Sequence, residues 1–322
     1  MKGKYLISIS NNKVKYEFSI KRNITVIQGD SATGKTTLVD MIREFEQNGF
    51  DSGINLSSKK RCRVLEGNDW HKNLSLITES IVFIDEGNKF VESVDFASAV
   101  KNSDNYFVIV TREGLENLPY SIEEIYGIHT SGKYSDLKQV YHEFYRIYGN
   151  EIFSGAKIEK IITEDSNSGF DFFNCVFNGR CVCESAGGKS NIYKKLLQSK
   201  DEKVLAVADG AAFGSQMNLV SELLNKRKNI LLFAPESFEW LILQSEIIND
   251  SETKNILKNP EKYIESKDFF SWEQFFTKLL IEKTNGTYLK YSKRKLNPNY
   301  LSENVKNKIL NSDVMEAIVK MI

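Results

Sequence analysis

Residues 23–37, NITVIQGDSATGKTT, decide how the rest of the chain is read. Ile24-Thr25-Val26-Ile27 is a short β-rich run, and Gly29-Asp30-Ser31-Ala32-Thr33-Gly34-Lys35-Thr36 fits G-x-x-x-x-G-K-[ST]. Beyond it, Leu38, Met41, Ile42 and Phe45 recur at helical spacing, and the pattern stops near Gly49. A strand, a tight loop and a helix in that order aim backbone N–H groups and a helix dipole at one point, which suits a chain of phosphates. Gly29 and Gly34 allow close backbone approach, Lys35 has the length to reach β and γ oxygens, and Thr36 offers a hydroxyl to Mg²⁺. With Asp30, Ser31, Ala32, Thr33 and Thr37 completing the cradle, the segment predicts a site for ATP and Mg²⁺.

Two further strands are expected to deliver side chains to the same place. Ile81-Val82-Phe83-Ile84 is fully apolar and ends in Asp85-Glu86, the pattern of a central parallel strand with carboxylates at its C-terminal edge. Asp85 is the expected Mg²⁺ partner opposite Thr36, and Glu86 the group that polarises the attacking water. YFVIVTREG repeats the pattern and brings out Thr111 and Arg112, where a γ-phosphate sensor would sit; Arg112 pairing with a carboxylate is the alternative. Ahead of the loop, KYLISI and VKYEFSI read as a hairpin turning at Asn11-Asn12. His129 and His142 in the Tyr-rich stretch that follows have no ligand-spaced neighbours and read as packed or surface residues.

Together these segments resemble the core of P-loop ATPases of the ATP-binding-cassette-like or AAA-like kind. The chain departs from the cassette pattern in having no LSGGQ-like signature before Asp85. The loop alone does not name the phosphoryl acceptor, so a kinase remains an alternative.

Residues 149–171 mix polar residues and glycines with one short apolar piece, and the domain boundary is expected there. The expected organisation is a P-loop NTPase domain over 1–150, a linker over 151–171, an α/β domain over 172–250 and a mostly helical extension over 251–322. In the second half FNCVF, RCVCE, VLAVADG and ILLFAP read as strands, with helices between the later ones, which predicts a second parallel sheet. Glu184 closes one strand and Asp209 another, and Glu239 follows a third, so all three are candidates for a divalent cation. The order strand-Glu, helix, strand-Asp, helix, strand is similar to Toprim domains, especially those joined to an ATPase in phage-defence proteins. The resemblance implies a metal-dependent nuclease in which Glu184 and Asp209 are catalytic and bind metal, with Glu239 a further ligand. Ala211 stands where that family has its second aspartate, and Trp240 where asparagine is usual. A binding module that cuts nothing is the alternative implied by Ala211.

The 322 residues are 41% hydrophobic and 27% charged, and 20 Phe and 14 Tyr supply ample core volume, so a wholly disordered chain is excluded. Lys+Arg and Asp+Glu are both 43, which removes any global electrostatic case for DNA, RNA or an anionic membrane. Locally, Lys290, Lys293, Arg294 and Lys295 interleave with Tyr288, Tyr291 and Tyr300, a pattern suited either to a nucleic-acid backbone or to a solvated edge. Cys62, Cys175, Cys181 and Cys183 read as buried free thiols, with 181 and 183 on one strand face. The N-terminus lacks an apolar core and no run approaches a membrane span, so a cytoplasmic location without membrane partners is expected, with a homo-oligomer or partner protein left open.

Overall fold

The computed structural model describes residues 1–29, 33–131, 139–149 and 157–322. It is a mixed α/β protein of two compact units, Met1–Gly149 with Asn259–Ser271, and Asn150–Lys258 with Trp272–Ile322. The expected contiguous halves are therefore interleaved, since residues 259–271 return to the first unit.

The first unit is built on a sheet of β1 (Tyr5–Ser10), β2 (Val14–Ile20), β3 (Ile24–Ile27), β4 (Asn55–Ser58), β5 (Cys62–Val64), β6 (Ile81–Ile84), β7 (Tyr106–Val110), β8 (Ile125–Thr130) and β9 (Val140–Arg146), in the order β4-β1-β2-β9-β8-β3-β7-β6-β5. The strands β8, β3, β7, β6 and β5 are parallel to one another. Every residue of β3, β6 and β7 is buried, which explains why these strands read as continuous apolar runs rather than alternating ones. The hairpin β1–β2 is antiparallel, as its sequence predicts, and β4 extends it from a stretch whose polar composition had concealed a strand. The helix α1 (Lys35–Asn48) buries Leu38, Val39, Met41 and Ile42 in a core shared with Tyr16, Phe18, Ile27, Phe83 and Val108. At roughly 1.5–3 kcal/mol per fully buried apolar side chain, this face fixes α1 to the sheet. Shorter helices α2 (Trp70–Ser75) and α3 (Val94–Lys101) complete the unit.

The second unit has a parallel sheet of β10 (Lys160–Thr163), β11 (Val182–Ser185), β12 (Val204–Val207) and β13 (Ile230–Phe233), in the order β11-β10-β12-β13. The crossover helices are α4 (Ser168–Val176), α5 (Lys189–Gln198) and α6 (Met217–Lys226), and α7 (Phe238–Gln244) follows β13. The remaining helices are α8 (Ser251–Lys258), α9 (Trp272–Thr284), α10 (Glu303–Leu310) and α11 (Asp313–Val319).

Two expectations are corrected here. The stretch assigned to a linker contains β10, a central strand, and the supposed strand FNCVF lies largely in α4. Phe173 and Phe177 are four residues apart and both buried, the spacing of one helical face.

Candidate functional sites

In the first unit the C-terminal ends of three strands are level. Ile27 is paired with Val110, and Ile84 with Ile109, so Gly29, Thr111 and Asp85 leave the sheet along one edge. The strand β7 lies between β3 and β6, which separates the end of β3 from Asp85 by two strand spacings, about 10 Å, and leaves a gap between them.

Asp30, Ser31 and Ala32 lie outside the described residues; Gly29, Thr33, Gly34, Lys35, Thr36 and Thr37 lie within them. The buried Lys35 Nζ donates to the Gly29 carbonyl at 2.7 Å and to Thr33 Oγ1 at 3.0 Å, tying together the two ends of the loop. Thr36 and Thr37 are exposed in the first turn of α1. Gly34 adopts φ 92°, ψ 7°, and its carbonyl accepts from both Leu38 N at 3.0 Å and the Tyr16 hydroxyl at 2.8 Å. A methyl group at position 34 would meet Tyr16 Oη at 2.7 Å and His142 Cε1 at 3.1 Å. Tyr16 and His142 stack with ring centroids 4.7 Å apart, forming an aromatic floor beneath the loop. Burial holds the His142 imidazole below its ordinary pKa, in the neutral form. Neither floor residue is marked by a motif, because β2 and β9 bring them together from opposite ends of the unit.

Asp85 follows β6, and its Oδ1 is buried without a hydrogen-bond partner among the described residues. Burial, together with the nearby Asp40 and Glu86, raises its pKa, partly offset by Glu86 N–H and Arg43. An orphaned carboxylate oxygen at the sheet edge that also carries Gly29 fits a cation whose other ligands are a hydroxyl and phosphate oxygens. Thr111 is occupied locally, its hydroxyl bonding Glu113 N and O at 3.1 Å each. Arg112 Nε pairs with Glu86 Oε1 at 2.6 Å, so its partner is the candidate site carboxylate itself.

In the second unit β10 and β12 are neighbours whose crossovers leave in opposite directions, to β11 and β13. That is a topological switch point, where an open α/β sheet forms a crevice at its strand ends. Glu164 follows β10 and Asp209 lies two residues beyond β12, so these are the carboxylates that flank the crevice. Glu184, the expected partner of Asp209, is elsewhere. It sits within the edge strand β11, held by Lys160 at 3.0 Å and Lys195 at 3.4 Å, and chiefly the Lys160 hydrogen bond keeps its pKa low. Glu164 directly follows β10, within the stretch whose polar composition reads as linker.

Around the crevice, Glu164 Oε2 accepts from Asp209 N at 3.0 Å, and Glu239 Oε1 accepts from the Tyr291 hydroxyl at 2.9 Å. Lys293 Nζ is paired with Glu273 Oε1 and also lies in the field of Glu239 and Asp209. Burial lowers the lysine pKa, but these carboxylates outweigh it and hold the ammonium above its ordinary value. Burial raises Glu164 to about 7, and burial with Glu273, Glu164 and Glu239 puts Asp209 well above the usual carboxylate range. The remaining space is a cavity of ≈ 30 Å³, room for about one water-sized group, lined by Glu164, Asp209, Glu239, Tyr291 and Lys293 among others.

Asp209 owes its position to Gly210 and Ala211. Gly210 N donates to Pro235 O at 2.6 Å and Ala211 N to Glu236 O at 3.2 Å, so the β12–β13 pairing runs on past the strands. The basic and aromatic stretch, suited to a nucleic-acid backbone or to a solvated edge, is divided: Tyr291 and Tyr300 are buried and Lys293 turns into the crevice, whereas Tyr288, Lys290, Arg294 and Lys295 are exposed. All four cysteines are free, but Cys175 is exposed and only Cys62 is fully buried.

Among the described residues no helix is long and apolar enough to cross a membrane. No protein-family model matches the chain. No curated protein matches it either.

Proposed function

We infer that the protein binds and hydrolyses ATP, and that its nucleotide state controls the second α/β unit. The observation that carries this reading is the buried Lys35 joining both ends of its loop, at a sheet edge shared with Asp85. Thr36 and Asp85 are the residues that would hold Mg²⁺, which neutralises β and γ oxygens when bound. Lys35 binds and orients the phosphates. Glu86 orients water for attack, and the Arg112 pair fixes where the Glu86 carboxylate rests before nucleotide arrives.

Titration calorimetry with ATP and Mg²⁺ tests the reading. Wild type should bind, and Lys35→Ala should weaken binding by about ten-fold or more, the loss of one charge-assisted phosphate contact. Unchanged affinity overturns the assignment. Glu86→Gln should retain ATP while hydrolysis falls by roughly 10²-fold, the usual contribution of a positioned base; undiminished turnover would assign that role to another residue.

The second unit resembles Toprim domains in its order of strands and acids, with Glu164 in place of Glu184 as the first acid. A nuclease would cleave DNA or RNA with Mg²⁺ or Mn²⁺ and lose that activity in Glu164→Ala. A binding module that cuts nothing is favoured by one observation, the lysine lodged among the carboxylates. Intact nucleic acid under every combination of metal and nucleotide decides for it.

A further inference from the structure

The resemblance to Toprim domains implies a divalent cation in the crevice of the second unit, and the residues present do not fit one. Among the described residues, no three Asp, Glu, His or Cys side chains gather where they could hold a metal ion. Glu184 is engaged by two lysines outside the crevice, and position 211 carries a methyl group. Of the acids that remain, Glu164 gives one oxygen to Asp209 N and Glu239 gives one to Tyr291.

We propose that the Lys293 ammonium is the resident cation of this crevice, fastened there by the C-terminal segment, and that it keeps divalent metal out. The segment is fixed at four points around the mouth of the crevice. Ser168 N donates to Lys293 O at 3.0 Å, Ser168 Oγ to Ser292 O at 2.6 Å, Leu296 N to Asp171 Oδ2 at 3.1 Å, and Tyr291 Oη to Glu239. Three of these anchors lie on α4 and the fourth on α7, so the backbone either side of Lys293 is tied to the elements that follow β10 and β13. The ammonium thus pairs with Glu273 and lies in the field of Glu239 and Asp209 at little further cost in chain entropy. A lysine so held offsets the mutual repulsion of the carboxylates, which is the electrostatic work a metal would do.

The proposal concerns the second unit alone and survives if the first proves not to bind ATP. Its test is Mn²⁺ titration of the nucleotide-free full chain, by calorimetry and by the spin-resonance signal of unbound Mn²⁺. Wild type should bind no Mn²⁺ that depends on Glu164 or Asp209. The double variant Glu273→Gln/Lys293→Met removes the ion pair together, so no charge is left unmatched by its loss, and keeps the other acids. With the ammonium gone, Glu164, Asp209 and Glu239 can close on an ion, so this variant should bind Mn²⁺ at a site where wild type binds none, and that binding should vanish when Asp209→Asn is added. Wild-type binding abolished by Glu164→Gln or Asp209→Asn overturns the proposal. So does a folded double variant with no gain, and if that variant does not fold, the wild-type measurement still decides.

Discussion

Lys35 and Glu164 carry similar weight at their sites, yet only one is legible from its neighbours in sequence. The role proposed for Lys35 is legible within a few residues, because a loop that wraps phosphates must take its glycines, lysine and hydroxyl from one continuous segment. Glu164 gains meaning only from the strand pairing that sets it beside Asp209, and β10, opening with a lysine in a polar stretch, lacks the unbroken apolar run that announces a buried strand. Gly210 illustrates the same limit. It reads as a turn residue, but a methyl group there would lie 2.3 Å from Ala234 O and 2.9 Å from Pro235 O, both on the neighbouring strand's extension. Gly210→Ala must part the two backbones, and a loss of about 1–3 kcal/mol is expected, the common cost of overpacking. Urea denaturation checks it; an unchanged midpoint would mean that the β12–β13 extension yields freely.

Among the elements, the buried parallel strands were the most legible, because burial on both faces demands unbroken apolar runs, as in β3, β6, β7 and β12. The strands β4 and β10 were not: β4 is half-exposed, and β10 opens with a lysine whose stem packs while its head binds Glu184. The end of β10 also makes a prediction about pH. Glu164 titrates at about 7 in the folded protein against its ordinary value of 4.5, so between these values the folded state holds a proton that the unfolded chain has released. The stability from that proton is complete below pH 4.5 and lost as pH rises through 7. Glu164→Gln, which cannot ionise, should melt above wild type at pH 8, by an amount equivalent to roughly 1–3 kcal/mol, and the two should converge near pH 4.5. Parallel melting profiles from pH 4.5 to 8 would show that Glu164 keeps an ordinary pKa.

At the scale of the whole molecule, the chain passes between the two units after residues 149, 258 and 271, an arrangement that no local pattern signals. Residues 259–271 look in sequence like the start of a helical tail, but they belong with a unit completed more than a hundred residues earlier. Within that unit Ser266 N donates to Met1 O at 2.9 Å, and the Asn23 side-chain amide donates to Phe270 O at 2.9 Å. Asn23 immediately precedes β3, the strand that leads to Gly29, so the returning segment braces the strand that carries the first candidate site. A protein ending at residue 149 lacks that brace, and Asn23 then loses a partner while 9 % exposed, at a cost of about 1–3 kcal/mol if no water replaces it. Its urea midpoint should therefore lie below that of the first unit in the intact chain, and a synthetic peptide of residues 259–271 added in excess should raise it by mass action. A fragment that unfolds at the intact midpoint and ignores the peptide would show the first unit to be complete at residue 149, with the returning segment contributing nothing to it.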